Sequence, residues 1–415
     1  MTYDLAIVGA GAAGLAAAVT ARELGLNTVV VEASHRIGGR GYTEMFAPGI
    51  AFDLGCHWLH SATINPFVPI ADRFGFRYRK GTYPRGLFVN GRWATENERA
   101  ELDAFLERSH DAVVAAAEQG KPLSQADVTD RESVWTPVFD HFTTLGTSVD
   151  PDQVGVEDTA SYNDTGENWP LKDGFGALIA QFGADVDVTL NCAVRRIDWS
   201  GGEIGLETAK GRIAARRALV TVSTGILGAG DIRFDPALPD WKEEAIAALP
   251  LGTHNRVGIL FDRDVFGPEC PRGAVVMMPD SEVQAIALNA FGENYAVGYT
   301  GGRHAVWLER AGQRAAIDFT LERLVHVFGS SVRPRVKRTI VTAWHGDPWA
   351  KGSYSAALPG QGHQRIELAR PIDNRLFFAG EATSSEFMAT AHGAYLSGIA
   401  AVRAIAATMG LESAA

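Results

Sequence analysis

Cysteine is scarce in this chain: Cys56, Cys192 and Cys270 are its three cysteines among 415 residues. So few thiols cannot form the disulfide framework that supports small secreted domains, and we expect a reducing compartment. Positive charge is also in deficit, because 38 Lys and Arg residues face 49 Asp and Glu residues, which leaves a formal net charge of −11. This balance argues against a nucleic-acid-binding protein and favours attraction of cations.

Long uninterrupted apolar runs are absent as well. A membrane-spanning helix needs about 20 predominantly apolar residues. The best candidate, residues 391–409, is broken by Gly393, Gly398 and Arg403, so we interpret it as a buried helix. No basic region precedes the first apolar run, which argues against a signal peptide. We therefore expect a cytoplasmic protein that does not contact a membrane.

The chain is rich in apolar side chains and in glycine. Hydrophobic residues make up 46% of the sequence, which excludes global disorder and allows a sizeable core. At 415 residues, the length predicts two or three domains at about 150 residues per domain. The 45 glycines exceed the usual share of about 7% and indicate tight turns near a ligand.

A βαβ unit is predicted at the N-terminus. Residues 4–8 and 28–31 have the apolar pattern of buried parallel strands, and residues 15–24 form an Ala-rich helix between them. Further along, Thr95 and Glu98 form a capping box before a helix near residues 97–117. Elsewhere we predict an acidic loop at 156–173 and a β meander at 193–223. Four further strands are predicted at 256–261, 274–278, 284–290 and 295–299, and a helix at 311–328.

The turn after the first strand has the pattern of a dinucleotide-binding motif. Gly9 permits the tight turn, Gly11 lets the backbone approach a pyrophosphate, and Gly14 allows close helix–strand packing. The helix N-terminus, with Ala13, then faces the phosphates. Glu32 ends the second strand, where a carboxylate accepts hydrogen bonds from ribose hydroxyls. The alternative, an ordinary glycine turn, does not need this whole context.

The segment after Glu32 distinguishes FAD from NAD. It continues as Ala33, Ser34, His35, Arg36, Ile37, Gly38, Gly39 and Arg40. Two adjacent glycines flanked by arginines can surround a pyrophosphate with amides and guanidinium groups, although a solvated basic turn is the alternative. The pattern Glu-x-x-x-Arg-x-Gly-Gly-Arg resembles the flavin-containing amine oxidase family, which includes monoamine oxidases, polyamine oxidases and the lysine-specific histone demethylase.

The resemblance continues through residues 52–60. It implies that His57 and Trp58 belong to a second flavin-contacting loop. A histidine at the position of His60 is similar to the animal-type polyamine oxidases and implies a catalytic role. One alternative is a metal site of Cys56, His57 and His60, but no second ligand group follows at the spacing of structural zinc. Another alternative is that His60 is merely packed.

Residues 344–355 resemble the family motif W-x-x-D-P-x-x-x-G-S-Y. This implies cofactor contacts from Trp344 and Trp349, and an aromatic cage that includes Tyr354, unless Tyr354 is an ordinary core residue. In some monoamine oxidases a cysteine precedes the matching tyrosine and bonds the flavin. Ser353 occupies that position here, so the resemblance implies non-covalent FAD. Val194 matches a position whose backbone contacts adenine, or it is simply a core side chain.

A third block, residues 376–398, also resembles the family. It implies that Gly380 and Glu381 contact the ribityl chain, and that Ala389 and Thr390 lie at the flavin ring. Monoamine oxidases place the second cage tyrosine at the position of Thr390, whereas polyamine oxidases carry threonine there. The cage is therefore expected to be half open, which suits a longer and thinner substrate.

Arg256 is the main departure from the family. The matching strand usually supplies a lysine that is bridged by water to flavin N5. Arginine stays charged when buried, so a proton relay is not expected from it, although it could hold the water or favour reduced flavin. We treat Arg256 as a candidate catalytic residue, with a purely structural strand residue as the alternative.

Together these features predict an α/β protein with two domains. A Rossmann-like FAD-binding domain, from residues 1–75, 176–252 and 335–415, is interleaved with an α+β substrate-binding domain, from residues 76–175 and 253–334. The resemblance implies hydride transfer from an amine to flavin N5, hydrolysis of the resulting imine, and reoxidation by O2 with release of hydrogen peroxide. The predicted partners are a small amine and O2, with no nucleic acid and no metal.

The substrate is left between several classes. A polyamine or diamine is favoured by the net charge of −11, by His60 and Thr390, and by four acidic residues near the expected entrance, unless these belong to a solvated loop. Those four residues are Glu157, Asp158, Asp164 and Glu167. The alternatives are another amine or amino-acid oxidase, a related FAD-dependent desaturase or dehydrogenase that does not use O2, and a flavoprotein with a binding role. The sequence does not determine the oligomeric state.

Overall fold

The computed structural model describes residues 2–81 and 85–411. The strands, in chain order, are β1 (Tyr3–Val8), β2 (Thr28–Val31), β3 (Thr43–Ala47), β4 (Ile50–Asp53), β5 (Trp58–Leu59), β6 (Arg85–Val89), β7 (Arg92–Trp93), β8 (Trp169–Pro170), β9 (Val188–Thr189), β10 (Val194–Asp198), β11 (Ile204–Thr208), β12 (Gly211–Val220), β13 (Arg233–Asp235), β14 (His254–Phe261), β15 (Gly273–Met277), β16 (Val283–Leu288), β17 (Tyr295–Gly301), β18 (Val336–Val341) and β19 (Leu376–Phe378).

The helices surround and connect these strands. They are α1 (Ala12–Glu23), α2 (Phe67–Phe74), α3 (Glu96–Glu118), α4 (Gln125–Val128), α5 (Thr136–Thr147), α6 (Val156–Ala160), α7 (Phe175–Phe182), α8 (Thr224–Gly228), α9 (Asp240–Ala248), α10 (Gly302–Ala311), α11 (Gln313–Phe328), α12 (Gln364–Ala369) and α13 (Ala391–Thr408), with short 3-10 turns at Ala290–Gly292, Ser330–Arg335 and Glu381–Thr383. None of the helices in the described part of the chain combines the length and apolar character that crossing a bilayer requires.

The first sheet confirms the predicted βαβ unit and the Rossmann-like arrangement. β1 pairs in parallel with β2 on one side and with β12 on the other, and β19 pairs in parallel with β12. Leu5 and Ile7 of β1 are fully buried, as expected for a strand covered on both faces. Helix α1 packs against α13, where a Cβ atom at Gly398 would lie 2.1 Å from the carbonyl oxygen of Ala13.

The second sheet is mostly antiparallel and has seven strands in the order β18-β14-β17-β16-β15-β6-β7. One of its faces packs against α11, with Val257 and Ile259 in the shared core. On the other face, Leu87 and Val275 pack against side chains of α3 and α5. Because side chains alternate along a strand, the residues next to Val257 in the chain point away from that core. Arg256 is one of them.

Most of the predicted elements are present, and the differences have local causes. Thr95 and Glu98 form the predicted capping box at the start of α3. The acidic segment 156–173 was predicted to be a loop, but it contains α6 and β8. The helix predicted at 311–328 begins at Gln313, after a break at Gly312 that separates it from α10.

A buried ion pair fixes α6 against α12. Arg365 is fully buried, and its Nε and Nη2 atoms donate to the two carboxylate oxygens of Asp158 at 2.7 and 2.8 Å. The backbone N–H of Ala357 also donates to Asp158, at 2.9 Å. Removal of one partner of such a pair leaves an uncompensated buried charge. The pair is therefore a requirement for the packing of this region.

Asp158→Asn is expected to destabilise the protein by ~3–5 kcal/mol, because Arg365 would remain buried without its counter-charge. The control is Asp152→Asn, which removes a partner of Arg303 where both side chains are 57% exposed and should cost less than about 1 kcal/mol. Urea unfolding of the two variants measures the difference. Equal midpoints would show that the Asp158–Arg365 pair does not support the fold.

Candidate active site

One cavity of about 1440 Å³ lies between the two large sheets. Sites for a single small ligand usually measure ~300–1000 Å³, so this cavity has room for a dinucleotide and a second molecule. All the residues predicted to form the site line it, with the exception of Gly14. A Cβ atom at Gly14 would lie 1.9 Å from the carbonyl oxygen of Gly9, which fits the packing role predicted for Gly14.

The turn between β1 and α1 has the geometry of a phosphate-binding loop. Gly9 has a φ of 105°, which favours glycine, and Thr221 fills the space where a Cβ atom would be. Helix α1 has no side-chain cap at Gly11, so its first amide groups are available to an anion. Ala13 lies in this first turn and lines the cavity.

Glu32 is held in place by the same turn. One of its carboxylate oxygens accepts from the N–H of Ala10 and the other from the N–H of Ser34, both at 2.8 Å. The residue is 8% exposed and lines the cavity together with Ala33. A carboxylate oxygen can accept a second hydrogen bond, so Glu32 can still bind ribose hydroxyl groups.

The Arg36–Arg40 segment contacts the glycine turn through its backbone. Gly38 forms a bridge with Gly11, and a Cβ atom at Gly39 would lie 3.2 Å from the Cα atom of Gly11. Arg36 donates to the carbonyl of Gly39 at 2.9 Å and stacks on the Tyr42 ring at 3.8 Å. These contacts fix the guanidinium group at the cavity wall.

Arg40 is paired with another predicted cofactor residue. Its Nη1 atom donates to Glu381 Oε1 at 2.9 Å and to the carbonyl of Ser353 at 2.6 Å. Ser355 Oγ donates to the other carboxylate oxygen at 2.7 Å. Burial alone would raise the pKa of Glu381, but Arg40 and Arg365 hold it below its ordinary value. Glu381 therefore stays ionised in a buried position.

The remaining predicted cofactor residues lie on several loops and strand ends around the same cavity. These are His57, Trp58, Val194, Trp344, Trp349, Gly380 and Ala389. Trp344 donates its indole N–H to the carbonyl of Leu54 at 2.9 Å, whereas Trp349 is 49% exposed. His57 Nδ1 lies 2.9 Å from the buried Asp53 carboxylate. Within residues 2–81 and 85–411, no three His, Cys, Asp or Glu side chains are arranged to hold a metal ion.

His60 presents a hydrogen-bond acceptor to the cavity. Its Nδ1 atom lies 2.7 Å from Oδ1 of Asn168, so Nδ1 carries the proton and Nε2 of the neutral ring has a lone pair. Burial lowers the pKa of His60, which keeps the ring neutral at physiological pH. Nε2 has no partner among the described residues, yet it is not enclosed, so it faces the cavity.

Tyr354 is less available than the sequence suggested. It donates its hydroxyl proton to the carbonyl of Leu145 and therefore accepts from His254 Nδ1 at 2.6 Å. Burial raises the pKa of Tyr354 and lowers that of His254 to about 3, so both side chains are uncharged. The ring of Tyr354 still lines the cavity. His254 was not predicted as a site residue.

Thr390 has a structural task beside its place in the cavity wall. Its hydroxyl donates to the carbonyl of Phe387 at 2.7 Å and accepts from the N–H of Gly393 at 3.0 Å, which caps α13. A single hydroxyl proton cannot serve a substrate as well. The side chain is small and lines the cavity, and the half-open cage implied by the family stays a prediction.

Arg256 lies at the centre of a group that we call the inner end of the cavity, formed by His60, His254, Arg256, Tyr299 and Tyr354. Its Nη1 atom donates to the carbonyl of Asp53 at 2.9 Å. Tyr299 is its cross-strand neighbour in β17, with the ring centre 5.7 Å from the guanidinium carbon. The sequence did not indicate Tyr299, because its position beside Arg256 depends on the register of two strands.

The four acidic residues predicted near the entrance have different surroundings. Asp158 is engaged by Arg365, and Glu157 and Glu167 do not line the cavity. Asp164 is exposed and lines the cavity without a cationic partner in the described part of the chain. One of the four is therefore free to contact a substrate.

Comparison with protein families gives two matches. Residues 95–406 match the flavin containing amine oxidoreductase model, and residues 7–72 match an NAD(P)-binding Rossmann-like domain. The first match covers more than two thirds of the chain, and the second contains the glycine turn and Glu32.

Curated relatives extend over nearly the whole chain. Polyamine oxidase 4 of Oryza sativa subsp. japonica is 27% identical over 430 residues, which cover 95% of this chain and 87% of that protein. Polyamine oxidase 2 of Arabidopsis thaliana is also 27% identical, over 434 residues that cover 95% of this chain and 86% of the relative. Lysine-specific histone demethylase 1B of Mus musculus is 27% identical over 97% of this chain and 52% of its own length.

Among solved structures, a putrescine oxidase bound to putrescine has the same fold. It superimposes with a TM-score of 0.82 at 18% identity, over 98% of this chain and 99% of that one. At this identity the likeness concerns the fold alone. With the family match and the cavity geometry, it leads to one conclusion: the chain belongs to the flavin containing amine oxidoreductase family and is an FAD-dependent amine oxidase.

Proposed function

We propose that the chain oxidises a C–N bond of an amine that binds at the inner end of the cavity, beside non-covalently held FAD. When bound, FAD supplies the two-electron acceptor, which takes a hydride from the carbon next to the amine nitrogen and passes the electrons to O2 as hydrogen peroxide. The observation that carries this proposal is the continuity of one cavity from Glu32 to His60 and Arg256. The released imine hydrolyses in water.

The residues at the dinucleotide end are proposed to hold FAD. The uncapped start of α1 and the amides of Gly38 and Gly39 would bind the pyrophosphate, and Glu32 would bind the ribose. Arg40 acts through Glu381, because its guanidinium group already binds that carboxylate. Ser353 Oγ is engaged by the backbone of His254, with which it exchanges hydrogen bonds of 2.7 and 3.0 Å.

His60 and Arg256 are proposed to prepare the amine. The lone pair on His60 Nε2 can accept an amine N–H, which orients the nitrogen without adding charge. Arg256 has no carboxylate within 4 Å among the described residues, so its positive charge acts on a neighbouring ammonium group. Like charge lowers the pKa of a bound ammonium and favours the neutral amine. Only the neutral amine can donate a hydride.

The names of the polyamine and putrescine oxidase relatives support a polyamine or a diamine as the substrate. The charges of the cavity support this class less, because Asp164 is the one free carboxylate of the predicted four. The reaction itself is tested by following peroxide release and anaerobic loss of the yellow flavin absorbance with a panel of amines. Absence of both with every amine would refute the proposed oxidation.

Glu32→Gln is expected to weaken FAD binding about tenfold to a hundredfold, because a charge-assisted hydrogen bond contributes ~1.5–3 kcal/mol. Titration of the apoprotein with FAD, followed by flavin fluorescence, gives the dissociation constant. Glu23→Gln, an exposed residue at the end of α1, is the matched control. Wild-type affinity in a folded Glu32→Gln protein would exclude Glu32 from the binding site.

The flavin is expected to leave the protein on denaturation, because Ser353 stands where a linking cysteine occurs in some family members and its hydroxyl is engaged by His254. After acid precipitation, the yellow colour should remain in the supernatant. Mass spectrometry of the washed pellet provides the control, since the chain should have its unmodified mass. Colour retained in the pellet would contradict non-covalent binding.

Flavin reduction is expected to accelerate as the pH rises from about 6 to 9, because a free primary amine has a pKa of ~10.4 and only its neutral form reacts. His60→Gln should slow the limiting rate about tenfold, equivalent to ~1.4 kcal/mol, without moving the midpoint. The midpoint should stay because the substrate amine is the group that titrates, whereas burial lowers the pKa of His60.

Anaerobic stopped-flow measurements on wild type, His60→Gln and His345→Gln test this. His345 is exposed and does not line the cavity, so its variant should behave as wild type. A rate that is constant over this pH range would contradict the requirement for a neutral amine. A shifted midpoint in His60→Gln would instead identify His60 as the group that titrates.

A further inference from the structure

Positive charge is in excess in the part of the cavity formed by the seven-stranded sheet. Three arginines, Arg85, Arg256 and Arg272, line it, and none has a carboxylate within 4 Å among the residues that the structure describes. Two carboxylates, Asp158 of α6 and Asp164 of the loop after it, also line the cavity, and Asp158 is already bound by Arg365. A polycationic substrate would meet like charges here, which is unfavourable.

The guanidinium group of Arg256 is anchored but has donors to spare. One N–H of Nη1 is used by the carbonyl of Asp53. Nε and Nη2 have no acceptor in the described part of the chain and are not enclosed, so they are open to the cavity that Arg256 lines. Because one donor of the guanidinium group is fixed, the orientation of its remaining N–H donors is fixed as well. A pair of such donors forms a fork that binds a carboxylate through two parallel hydrogen bonds.

Tyr299 adds a neutral donor beside this fork. Its hydroxyl has no hydrogen-bond partner among the described residues and is likewise not enclosed. Burial raises the pKa of Tyr299, although Arg256 and Arg85 oppose the rise, so the hydroxyl keeps its proton. Arg85 also lines this cavity.

Small residues leave room beside the pair. In the register of β15, β16 and β17, Ile286 pairs with Gly298 and Ala287 pairs with Gly273, so Ala285 and Ala287 lie on the face of the sheet that carries Tyr299. Gly273, Ala285 and Ala287 line the cavity. The small side chains on this face of the sheet therefore leave cavity space next to Arg256 and Tyr299.

We propose that Arg256 and Tyr299 form a carboxylate-binding subsite, and that the substrate is an amino acid whose carboxylate binds there while its amine faces His60. The proposal rests on the amine oxidation proposed above and assigns the substrate class for that reaction. The free donors of Arg256 pair with the carboxylate, while His60 accepts the N–H group without introducing another charge. The names of the relatives do not suggest this class.

Benzoate, a carboxylate that cannot be oxidised at an amine, tests the subsite directly. Titration of the FAD-loaded enzyme with benzoate should perturb the flavin absorbance, whereas uncharged benzyl alcohol at the same concentrations should not. The dissociation constant should rise at least about tenfold in Arg256→Gln and severalfold in Tyr299→Phe. Arg256→Lys, which keeps the charge and loses the fork, should fall between wild type and Arg256→Gln.

Arg338→Gln is the matched control for this titration. Arg338 lies on β18, next to β14, and donates to the carbonyls of Met45 and Phe46 instead of lining the cavity. It should bind benzoate as the wild type does. Flavin content and melting temperature are measured for every variant, and Tyr299→Phe decides the test if Arg256→Gln does not retain FAD. Equal benzoate affinity in folded Arg256→Gln and wild type would overturn the subsite.

Matched substrate pairs then test the substrate class. Ornithine with putrescine, lysine with cadaverine, and phenylalanine with phenethylamine differ within each pair only by the carboxylate. At least one amino acid should reduce the flavin with a kcat/KM at least about tenfold above that of its partner. Arg256→Gln should remove this preference mainly through KM.

The outcomes separate the two proposals. Reduction by the diamines or by phenethylamine, without any preference for an amino acid, would overturn the carboxylate subsite and leave amine oxidation in place. If no compound of either class reduces the flavin, the proposed oxidation fails, and the benzoate titration alone decides whether the subsite exists.

Discussion

The architecture depends on one buried chain of charges. Glu381, 5% exposed, is held by Arg40 and by Ser355, whose hydroxyl accepts from Arg365 at 2.9 Å, and Arg365 in turn binds Asp158. These five residues come from three parts of the sequence, at position 40, position 158 and positions 355–381, so the pairings close the large loops between those parts. Buried charges are costly unless every one is paired. Here each acid has a basic partner, since Glu381 pairs with Arg40 and Asp158 pairs with Arg365. The cofactor side and the substrate side of the cavity are thereby fixed to each other.

The inner end of the cavity differs from these buried ion pairs, because most of its side chains are uncharged. His60 and His254 are neutral because burial lowers the pKa of each, and burial raises the pKa of Tyr299 and Tyr354 so that both keep their protons. Arg256 is then the fixed charge of this group, and a low-dielectric wall strengthens its effect on any bound molecule.

The sequence predicted those features that depend on local order along the chain. The glycine turn and the capping box at Thr95 were visible because each depends on neighbours a few residues away, and Glu32 was visible because it ends the second strand of one short βαβ unit. Features that depend on register or long-range pairing were not visible. Tyr299 is a site candidate because β17 pairs with β14 in one particular register, and Asp158 is occupied because a helix two hundred residues later supplies Arg365. Thr390 lines the cavity, but its role as the cap of α13 was not visible, because it depends on the positions of Phe387 and Gly393.

The register of the second sheet also explains how a common scaffold can accept different amines. Along β14, Val257 and Ile259 point into the core with α11, whereas Arg256 points to the opposite face and into the cavity. A change at position 256 therefore alters the chemistry of the site without disturbing the packing that holds the sheet. Ala285 and Ala287 also line the cavity, and their size affects the space available there. Their strand, β16, is held by backbone hydrogen bonds to β15 and β17. Similarity of fold to a putrescine oxidase therefore does not by itself define the substrate, because the few side chains on this face set the charge of the cavity wall.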